Sequence, residues 1–423
     1  MKQQSSSGGR SKLTTYILIA LALGIFAGYL ANANLNDPAG FADTMSLVTT
    51  LFLRLIKMII APLVFSTLVV GIAKMGDASE VGRIGIKTLG WFFLASLMSL
   101  TLGLVLVNLM RPGDALVGHL SAAIAPTDLT ASGLSLKEFI THLVPASIVE
   151  GMSKNEILQI VVFSLFFGSA AAAIGAKAEP LVAVLESVAN VMLKVTGYVM
   201  QFAPFAVFAA VAGVIGKSGL GVLQTYGVFM AEFYFGIALL WALLIVIGFL
   251  FLGPRVFTLM AEMRGPALLA FSTASSEAAF PKTLEGLERF GVRSRIAAFV
   301  LPIGYSFNLD GSMMYCTFGT VFIAQAYGIE MTLGQQMTMM MVLMLTSKGM
   351  AGVPRASLVV IAATLGQFHI PEAGLVLLIG IDHFLDMARS ATNVIGNAIA
   401  TAVVAKWEGE LSNPAERDLA RAA

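Results

Sequence analysis

Charged residues and cysteine are both scarce in this chain of 423 residues. Only 12% of its residues are Asp, Glu, Lys or Arg, whereas soluble domains average about 25%. The net charge of +1 gives no reason to expect a nucleic-acid partner. A single cysteine, Cys316, excludes an internal disulfide and a cysteine-rich metal site, and the four histidines show no metal-ligand spacing. We therefore expect no metal ion and no other cofactor.

Apolar residues are abundant instead, at 57% of the chain, and the mean hydropathy is +0.85. This composition predicts an integral membrane protein. The polar, basic start MKQQSSSGGRSK precedes an apolar stretch over residues 13–36. A cleaved signal peptide is the alternative, but it would have a shorter apolar core and a small-residue cleavage site. We interpret the stretch as a first membrane-spanning helix.

Six spanning helices are predicted in the first 252 residues. They cover residues 13–33, 45–74, 84–110, 157–174, 182–215 with an interruption at Pro204, and 222–252. Lys and Arg occur before helix one and after helix two but not in the link between them, which places the N-terminus in the cytoplasm.

Arg54 and Lys57 lie inside helix two, where snorkelling toward headgroups is favoured over a role in transport.

Two later apolar segments are each broken by small and polar residues. Residues 256–290 contain STASSEAAFP at 272–281, and residues 332–366 contain TSKGMAGVP at 346–354. No half of either segment has the ~20 residues needed to cross a bilayer. The pattern predicts two re-entrant hairpins, with two ordinary kinked helices as the alternative.

Each predicted hairpin is followed by a full helix that carries charge. Residues 295–328 contain Asn308, Asp310 and Gly311, and residues 371–407 contain two acids and an arginine. Paired interrupted segments at corresponding positions are typical of inverted-repeat transporters with a site near the membrane midplane.

The last predicted helix carries a polar stripe. Asp382, Asp386, Arg389, Asn393 and Asn397 fall within an arc of roughly 80°. Charges inside a bilayer must face the protein interior or water. Either the arginine permanently neutralises an aspartate, or it waits for a carboxylate of a ligand, which guanidinium binds bidentately. A ligand with an amine for Asp386 as well is an acidic amino acid more naturally than a plain dicarboxylate.

The predicted hairpin tips would add helix N-termini, whose N–H groups favour anions. Ser275, Ser276 and Gly352 lie at these tips. Glu277, at the first tip, is either a proton carrier or a solvated surface residue.

Four motifs together resemble the glutamate/aspartate and C4-dicarboxylate symporters. They are NLDGS at 308–312, SKGMAGVP at 347–354, DHFLDMARSATNVIGN at 382–397 and the serine-rich STASSEAAFP, and the resemblance covers residues 13–410. It implies an all-α fold with eight transmembrane helices, two re-entrant hairpins, inverted repeats, a homotrimer and elevator-type alternating access.

The resemblance also implies a division of the chain into domains. Residues 13–74 and 112–217 would form a scaffold and trimerisation domain, and residues 83–111 and 218–407 a mobile transport domain. Residues 1–12 and 408–423 would be cytoplasmic tails.

Substrate residues are implied by position in these motifs. Arg389 matches the arginine that takes the side-chain carboxylate, Asp386 the aspartate that takes the amino group, and Asn393 the asparagine beside it. Ser276 matches a contact to the main-chain carboxylate. Neutral-amino-acid members lack such an arginine, and dicarboxylate members tend to lack such an aspartate. The presence of both Arg389 and Asp386 in this chain therefore favours glutamate or aspartate as the substrate. The remaining residues of the implied site are Ser275, Ser312, Ser390 in place of the usual threonine, and the gate residues Gly352, Val353 and Pro354.

The resemblance implies cation sites that this chain has partly lost. Sodium-coupled members have an aspartate where Asn397 stands, a methionine where Leu309 stands, and a tyrosine and threonine where Phe92 and Ala95 stand. Each change removes an oxygen, a charge or a soft donor. The expected coupling residues that remain are Ser96, Gly304, Asn308 and Asp310, with Glu277 as proton carrier, Asn397 as a neutral remnant and Asp382 orienting groups around Asn308.

We therefore expect a symporter of the bacterial inner membrane that imports glutamate or aspartate with protons, and not an enzyme. The alternatives are a C4-dicarboxylate symporter and a sodium-coupled symporter of the same fold. An intramembrane aspartyl protease could use Asp310 and Asp382, but its acids would share a proton without a permanent arginine on the same stripe. A channel is disfavoured because broken hairpins indicate occlusion.

Overall fold

The computed structural model describes residues 7–73, 78–114, 141, 144–218, 226–347, 356–379 and 381–412. The expected gate residues Gly352, Val353 and Pro354 lie outside this part of the chain. Within it, the named elements are all helices, as predicted. The α-helices, numbered in chain order, are α1 Ser7–Asn34, α2 Pro38–Ala73, α3 Ala78–Met110, α4 Ile148–Ser153, α5 Ile157–Ile174, α6 Glu179–Val199, α7 Ala203–Ser218, α8 Gly227–Leu252, α9 Arg255–Thr273, α10 Ser276–Phe290, α11 Ser294–Phe307, α12 Asp310–Ala326, α13 Leu333–Thr346, α14 Ala356–Gln367, α15 Val376–Ile379 and α16 Asp382–Trp407.

Four helical segments among the described residues are long and apolar enough to cross a membrane. They are Thr15–Asn34, Val81–Met110, Gln159–Val199 and Gly227–Leu252. Arg54 of α2 is exposed, which agrees with snorkelling.

The predicted interruption of the helix over residues 182–215 is present, but it lies just before Pro204. α6 ends at Val199, a 3₁₀ turn covers Met200–Phe202, and α7 begins at Ala203. Pro204 lies in the first turn of α7, where its missing N–H would have no helical partner in any case. α6 packs against α2, whereas α7 packs against α1 and α2.

The first hairpin break is confirmed. α9 and α10 pack against each other, and the chain between them passes through Ala274, which has a left-handed φ of 48°. Ser275 then caps α10, since its Oγ accepts a hydrogen bond from the Ala278 N–H at 3.3 Å. α13 and α14, the halves of the second predicted hairpin, also pack against each other.

Both helices predicted as continuous after the hairpins are broken. α11 ends at Phe307 and α12 begins at Asp310. Between them the Asn308 side chain donates to the side chains of Asp310 and Asn397, and such local polar contacts compete with helix formation. The final segment begins with a 3₁₀ turn and the short α15, and only from Asp382 does it run unbroken as α16.

α16 is the central helix of this half of the molecule. It packs against α8, α9, α10, α11 and α12, and its side chains from Met387 to Ala405 are all buried. A helix buried on every side must direct its polar residues into the protein.

Residues 408–412, which we name the C-terminal strap, join the ends of several helices. Glu408 binds Arg83 and Lys87 of α3 at 2.8 and 2.6 Å. Glu410 pairs with Arg293 at 3.1 Å and also with Arg295. Two further bonds, from Arg255 to the Ser412 carbonyl at 2.8 Å and from the Ser412 N–H to the Gly291 carbonyl at 2.9 Å, complete the strap.

We expect Glu408→Gln to lower the Tm of the detergent-solubilised protein at pH 7. Burial by itself would raise the pKa of Glu408, but the hydrogen bonds and charges of Arg83 and Lys87 outweigh it and the pKa is lowered. A carboxylate whose pKa is lower in the folded protein stabilises the fold at pH values above its unfolded-state pKa, here about 4.5. That stabilisation is lost as the pH falls through the folded-state pKa. The difference in Tm between the two proteins should therefore close below about pH 4.5.

Glu330→Gln is the matched control, because Glu330 is 86% exposed and lies 3.9 Å from Arg111. An equal fall in Tm for both variants would show that the Glu408 ion pairs contribute nothing specific.

Candidate functional site

Arg389 lies at the centre of the polar stripe on α16 and is only 1% exposed. Its Nη2 is 2.9 Å from Asp382 Oδ1 and 3.0 Å from Asp386 Oδ1. The guanidinium also lies over the ring of Tyr315 from α12, with Cζ 4.0 Å from the ring centroid. A cation–π contact of this kind gains strength when it is desolvated, so three groups hold the buried charge.

Two nitrogens of Arg389 make no hydrogen bond to the described residues. Nε and Nη1 are buried and have no hydrogen-bond partner among the described residues. A buried donor without a partner costs about 1–3 kcal/mol, and more for a charged group. The arrangement is therefore an incomplete ion pair, with donors open to a further acceptor.

The two aspartates differ in their access to solvent. The Asp386 side chain is 35% exposed and that of Asp382 only 4%. The expectation that Asp382 orients groups around Asn308 is wrong. Asp382 bonds to Arg389 instead, and Asn308 contacts Asn397, which is fifteen residues or about 22 Å further along α16.

Asn393 joins α16 to the start of α12. Its Oδ1 accepts from the Gly311 N–H at 2.9 Å, and its Nδ2 donates to Ser312 Oγ at 3.3 Å. The first N–H groups of a helix have no partner within the helix, so Asn393 satisfies one of them from outside. Ser390 is buried on the same helix, 4% exposed.

The first hairpin tip brings its residues to the same helix. Ser275 precedes α10, Ser276 and Glu277 are in its first turn, and all three are half-buried. α10 packs directly against α16. The structure thus places the first tip beside the helix that carries Arg389.

A second polar group consists of Ser99, Asn308, Asp310 and Asn397, and we name it the amide–carboxylate cluster. Asn308, Asp310 and Asn397 are each 0% exposed. Asn308 Nδ2 donates to Asp310 Oδ2 at 3.1 Å and to Asn397 Oδ1 at 3.3 Å. Ser99 Oγ donates to Asp310 Oδ1 at 3.1 Å. Two neutral side chains, those of Asn308 and Ser99, therefore donate to a fully buried carboxylate.

Two amide atoms of the cluster have no partner. The Asn308 Nδ2 donates to the Asp310 carboxylate, so the Asn308 Oδ1 points away from that carboxylate. The same Nδ2 also donates to Asn397, so Asn397 must turn its Oδ1 toward Asn308. Asn308 Oδ1 and Asn397 Nδ2, one acceptor and one donor, are then left buried without a hydrogen-bond partner among the described residues.

Two glycines make room for the amide–carboxylate cluster. A Cβ on Gly304 would collide with Asn397 Oδ1, and a Cβ on Gly396 would collide with Asp310 Oδ2. Gly304, an expected coupling residue, therefore lies beside Asn397. Phe92 also approaches Gly304, so an apolar ring borders the cluster.

Sequence reasoning missed Ser99 and Tyr315. It selected Ser96, whose Oγ donates to the Phe307 carbonyl at 3.3 Å. Ser99 lies three residues further along α3, on the same helical face, and that spacing was an available signal. Tyr315 had no comparable signal, since an aromatic residue in an apolar helix is ordinary.

Residues 13–407 match the model of the sodium:dicarboxylate symporter family. The chain is 38% identical over 413 residues to the proton/sodium-glutamate symport protein of Bacillus subtilis, covering 96% of this chain and 95% of the relative. It is 40% identical over 410 residues to the proton/glutamate-aspartate symporter of Escherichia coli, covering 94% and 93%. It is 38% identical over 402 residues to the C4-dicarboxylate transport protein of Laribacter hongkongensis, covering 94% and 90%.

Proposed function

The chain belongs to the sodium:dicarboxylate symporter family, and from that premise we propose that it imports L-glutamate or L-aspartate together with protons. Members of this family are symporters and not enzymes, and the long apolar helices agree with an integral membrane protein. The carrying observation is that Nε and Nη1 of Arg389 have no partner among the described residues, while the neighbouring Asp386 side chain is 35% exposed.

The substrate is inferred from charge. A side-chain carboxylate of the substrate accepts from the open nitrogens of Arg389, since charge-assisted bonds of this kind are roughly twice as strong as neutral ones. Its ammonium group meets Asp386. Ser276, Ser275, Ser312, Ser390 and Asn393 would orient the main-chain carboxylate and the amine.

A C4-dicarboxylate is the second candidate substrate, because one of the relatives carries that name. Its second carboxylate would approach Asp386, and two like charges at short range disfavour each other. An amino acid avoids this repulsion, so we favour glutamate or aspartate.

Proton coupling is inferred from the amide–carboxylate cluster. Sodium takes oxygen ligands, as other hard cations do, and the Asn397 amide offers an N–H donor where an anionic oxygen would suit a metal ion. The cluster holds one carboxylate, Asp310, bonded by neutral donors. We infer that Asp310 carries the proton, with Glu277 at the hairpin tip as the alternative. Sodium coupling remains the rival, since the name of the Bacillus subtilis relative includes sodium.

The mechanism we propose is alternating access by an elevator movement in a homotrimer. Its support is that α2 packs against α5, α6 and α7, and α7 against α1, whereas α16 packs against α8 to α12. Contacts of α2 with α10 and α11, and of α7 with α9, would form the boundary between the two groups. The first group would be the scaffold and the second the transport domain, each with the ranges given above. Eight spanning helices, cytoplasmic termini, an inner-membrane location and a gate at Gly352, Val353 and Pro354 complete the proposal.

An inward proton gradient without sodium should drive uptake of labelled aspartate into proteoliposomes. The reason is that the amide–carboxylate cluster has a protonatable group and lacks the second anionic ligand of a metal site. Dissipating the gradient with a protonophore is the control. A strict requirement for sodium would refute proton coupling while leaving the substrate assignment intact.

Asp310→Asn should abolish proton-driven accumulation of aspartate but preserve aspartate–aspartate exchange. The variant mimics the protonated acid in size and charge, so the loaded form can still move. Glu277→Gln is the matched comparison, and accumulation should survive in it. The reverse pattern would assign the proton to Glu277.

Asp386→Asn should weaken aspartate binding and spare succinate. A hydrogen bond between charged groups contributes about 1.5–3 kcal/mol, which corresponds to roughly a 10- to 100-fold loss of affinity. Succinate has no ammonium and also escapes repulsion by the carboxylate. Competition of unlabelled aspartate and of succinate against labelled aspartate measures the two affinities. Equal losses of affinity for the two ligands would remove the amine-binding role of Asp386.

A further inference from the structure

A groove of about 690 Å³ opens on the side of α16 away from α12, between α8 and α9. Its floor is formed by Ala388, Ala391 and Ile395 of α16, and its walls are aliphatic and aromatic side chains of the other two helices. Its size is in the range of about 300–1,000 Å³ that is usual for sites of small organic ligands.

The polar atoms at the groove are mostly committed to the protein. The Tyr234 hydroxyl donates to the Phe384 carbonyl at 2.7 Å, and Trp241 Nε1 donates to Thr392 Oγ1 at 2.8 Å. Both bonds tie α8 to α16. The walls therefore offer a ligand apolar contact and few free hydrogen-bond donors.

Arg264 is the exception. It is the charged residue in the lining of the groove, its side chain is exposed, and it has no ion-pair partner among the described residues. The other basic residues of this hairpin and the turn after it are bonded: Arg255 to Ser412, Lys282 to Glu285, Arg289 to Glu262 and Glu285, and Arg293 and Arg295 to Glu410. Arg264 is thus a guanidinium without an anion, at the edge of an apolar surface.

The surroundings of the groove identify the missing anion. α8, which forms one wall, has a mean hydropathy of 2.8, the highest among the four candidate spans. Acyl chains would contact the exposed face of such a helix, and an unpaired charge among them is costly unless it reaches a headgroup. An arginine beside an acyl-chain groove is complementary to a lipid phosphate, which guanidinium binds bidentately.

We propose that this groove binds an anionic phospholipid of the bilayer, with its phosphate on Arg264 and one acyl chain along the groove. The acyl chain lies against Ala388 and Ala391, which flank Arg389 in sequence on the reverse face of α16. It also covers Trp241 and Tyr234, whose bonds hold that helix. The lipid therefore supports the helix that carries the polar stripe.

Photolabelling tests the proposal on the full-length protein in nanodiscs. The probes are phosphatidylglycerol and phosphatidylcholine, each with a diazirine on one acyl chain, and labelled peptides are mapped by mass spectrometry. We expect phosphatidylglycerol to label peptides of α8, α9 and α16 at least fivefold more than phosphatidylcholine. Arg264→Gln should abolish that preference and Arg264→Lys should retain most of it.

A second pair of variants tests the groove itself. Ala238→Trp places a large side chain in the groove and should remove labelling there. Val246→Trp is the control on the same helix, because Val246 is exposed and lies outside the lining. Labelling in that variant should match the unchanged protein.

Three outcomes would overturn the proposal. Equal labelling by the two lipids in the unchanged protein would show that no anionic headgroup is selected. A preference that survives Arg264→Gln would remove the arginine from the site. Absent labelling, together with intersubunit crosslinks through Ala238→Cys, would show that a second copy of the chain covers the groove.

Discussion

The buried charge of Arg389 is the constraint on which the rest of this site depends. A guanidinium that is 1% exposed requires counter-charges and a surface to lie on, and Asp382, Asp386 and the Tyr315 ring supply them. These partners come from two helices, so α16 and α12 must pack in one particular register. Since the pairing leaves two donors without a partner in the described part of the chain, the same constraint that organises the protein supports our proposal that an anion binds there.

Irregular backbone occurs beside the polar groups for a related reason. α11 and α12 are separated at Asn308, whose side chain bonds to Asp310 and Asn397, and α9 and α10 are separated at Ala274, where Ser275 caps the second helix. Broken helices at membrane depth persist only when the freed backbone groups are buried in protein or reach water. Asn393, which accepts from the Gly311 N–H, shows how α16 meets that requirement.

The polar stripe therefore serves two regions with different chemistry. Its first part, around Arg389 and Asp386, is charged and half open to solvent, whereas its last residue, Asn397, belongs to a closed cluster with a single carboxylate. This division supports a substrate site at one place and a proton site at the other. The opposite face of the same helix forms the floor of an apolar groove, so in our proposals α16 would connect substrate, coupling group and bilayer.

The sequence by itself determined what depends on local geometry. The composition required a membrane protein, the motifs indicated the family, and the 3.6-residue repeat placed five polar residues on one face of one helix, because the position of a side chain around a helix follows from its number in the chain. The break at the first hairpin tip was readable for the same reason, from small and polar residues within an apolar run. Only the tertiary structure decided that Asp382 pairs with Arg389, that Ser99 bonds to Asp310, and that the break within residues 182–215 lies at Met200–Phe202. Those facts depend on which helix faces each residue and on the register between the two helices. Helix packing sets both, through contacts between residues that are far apart in the chain.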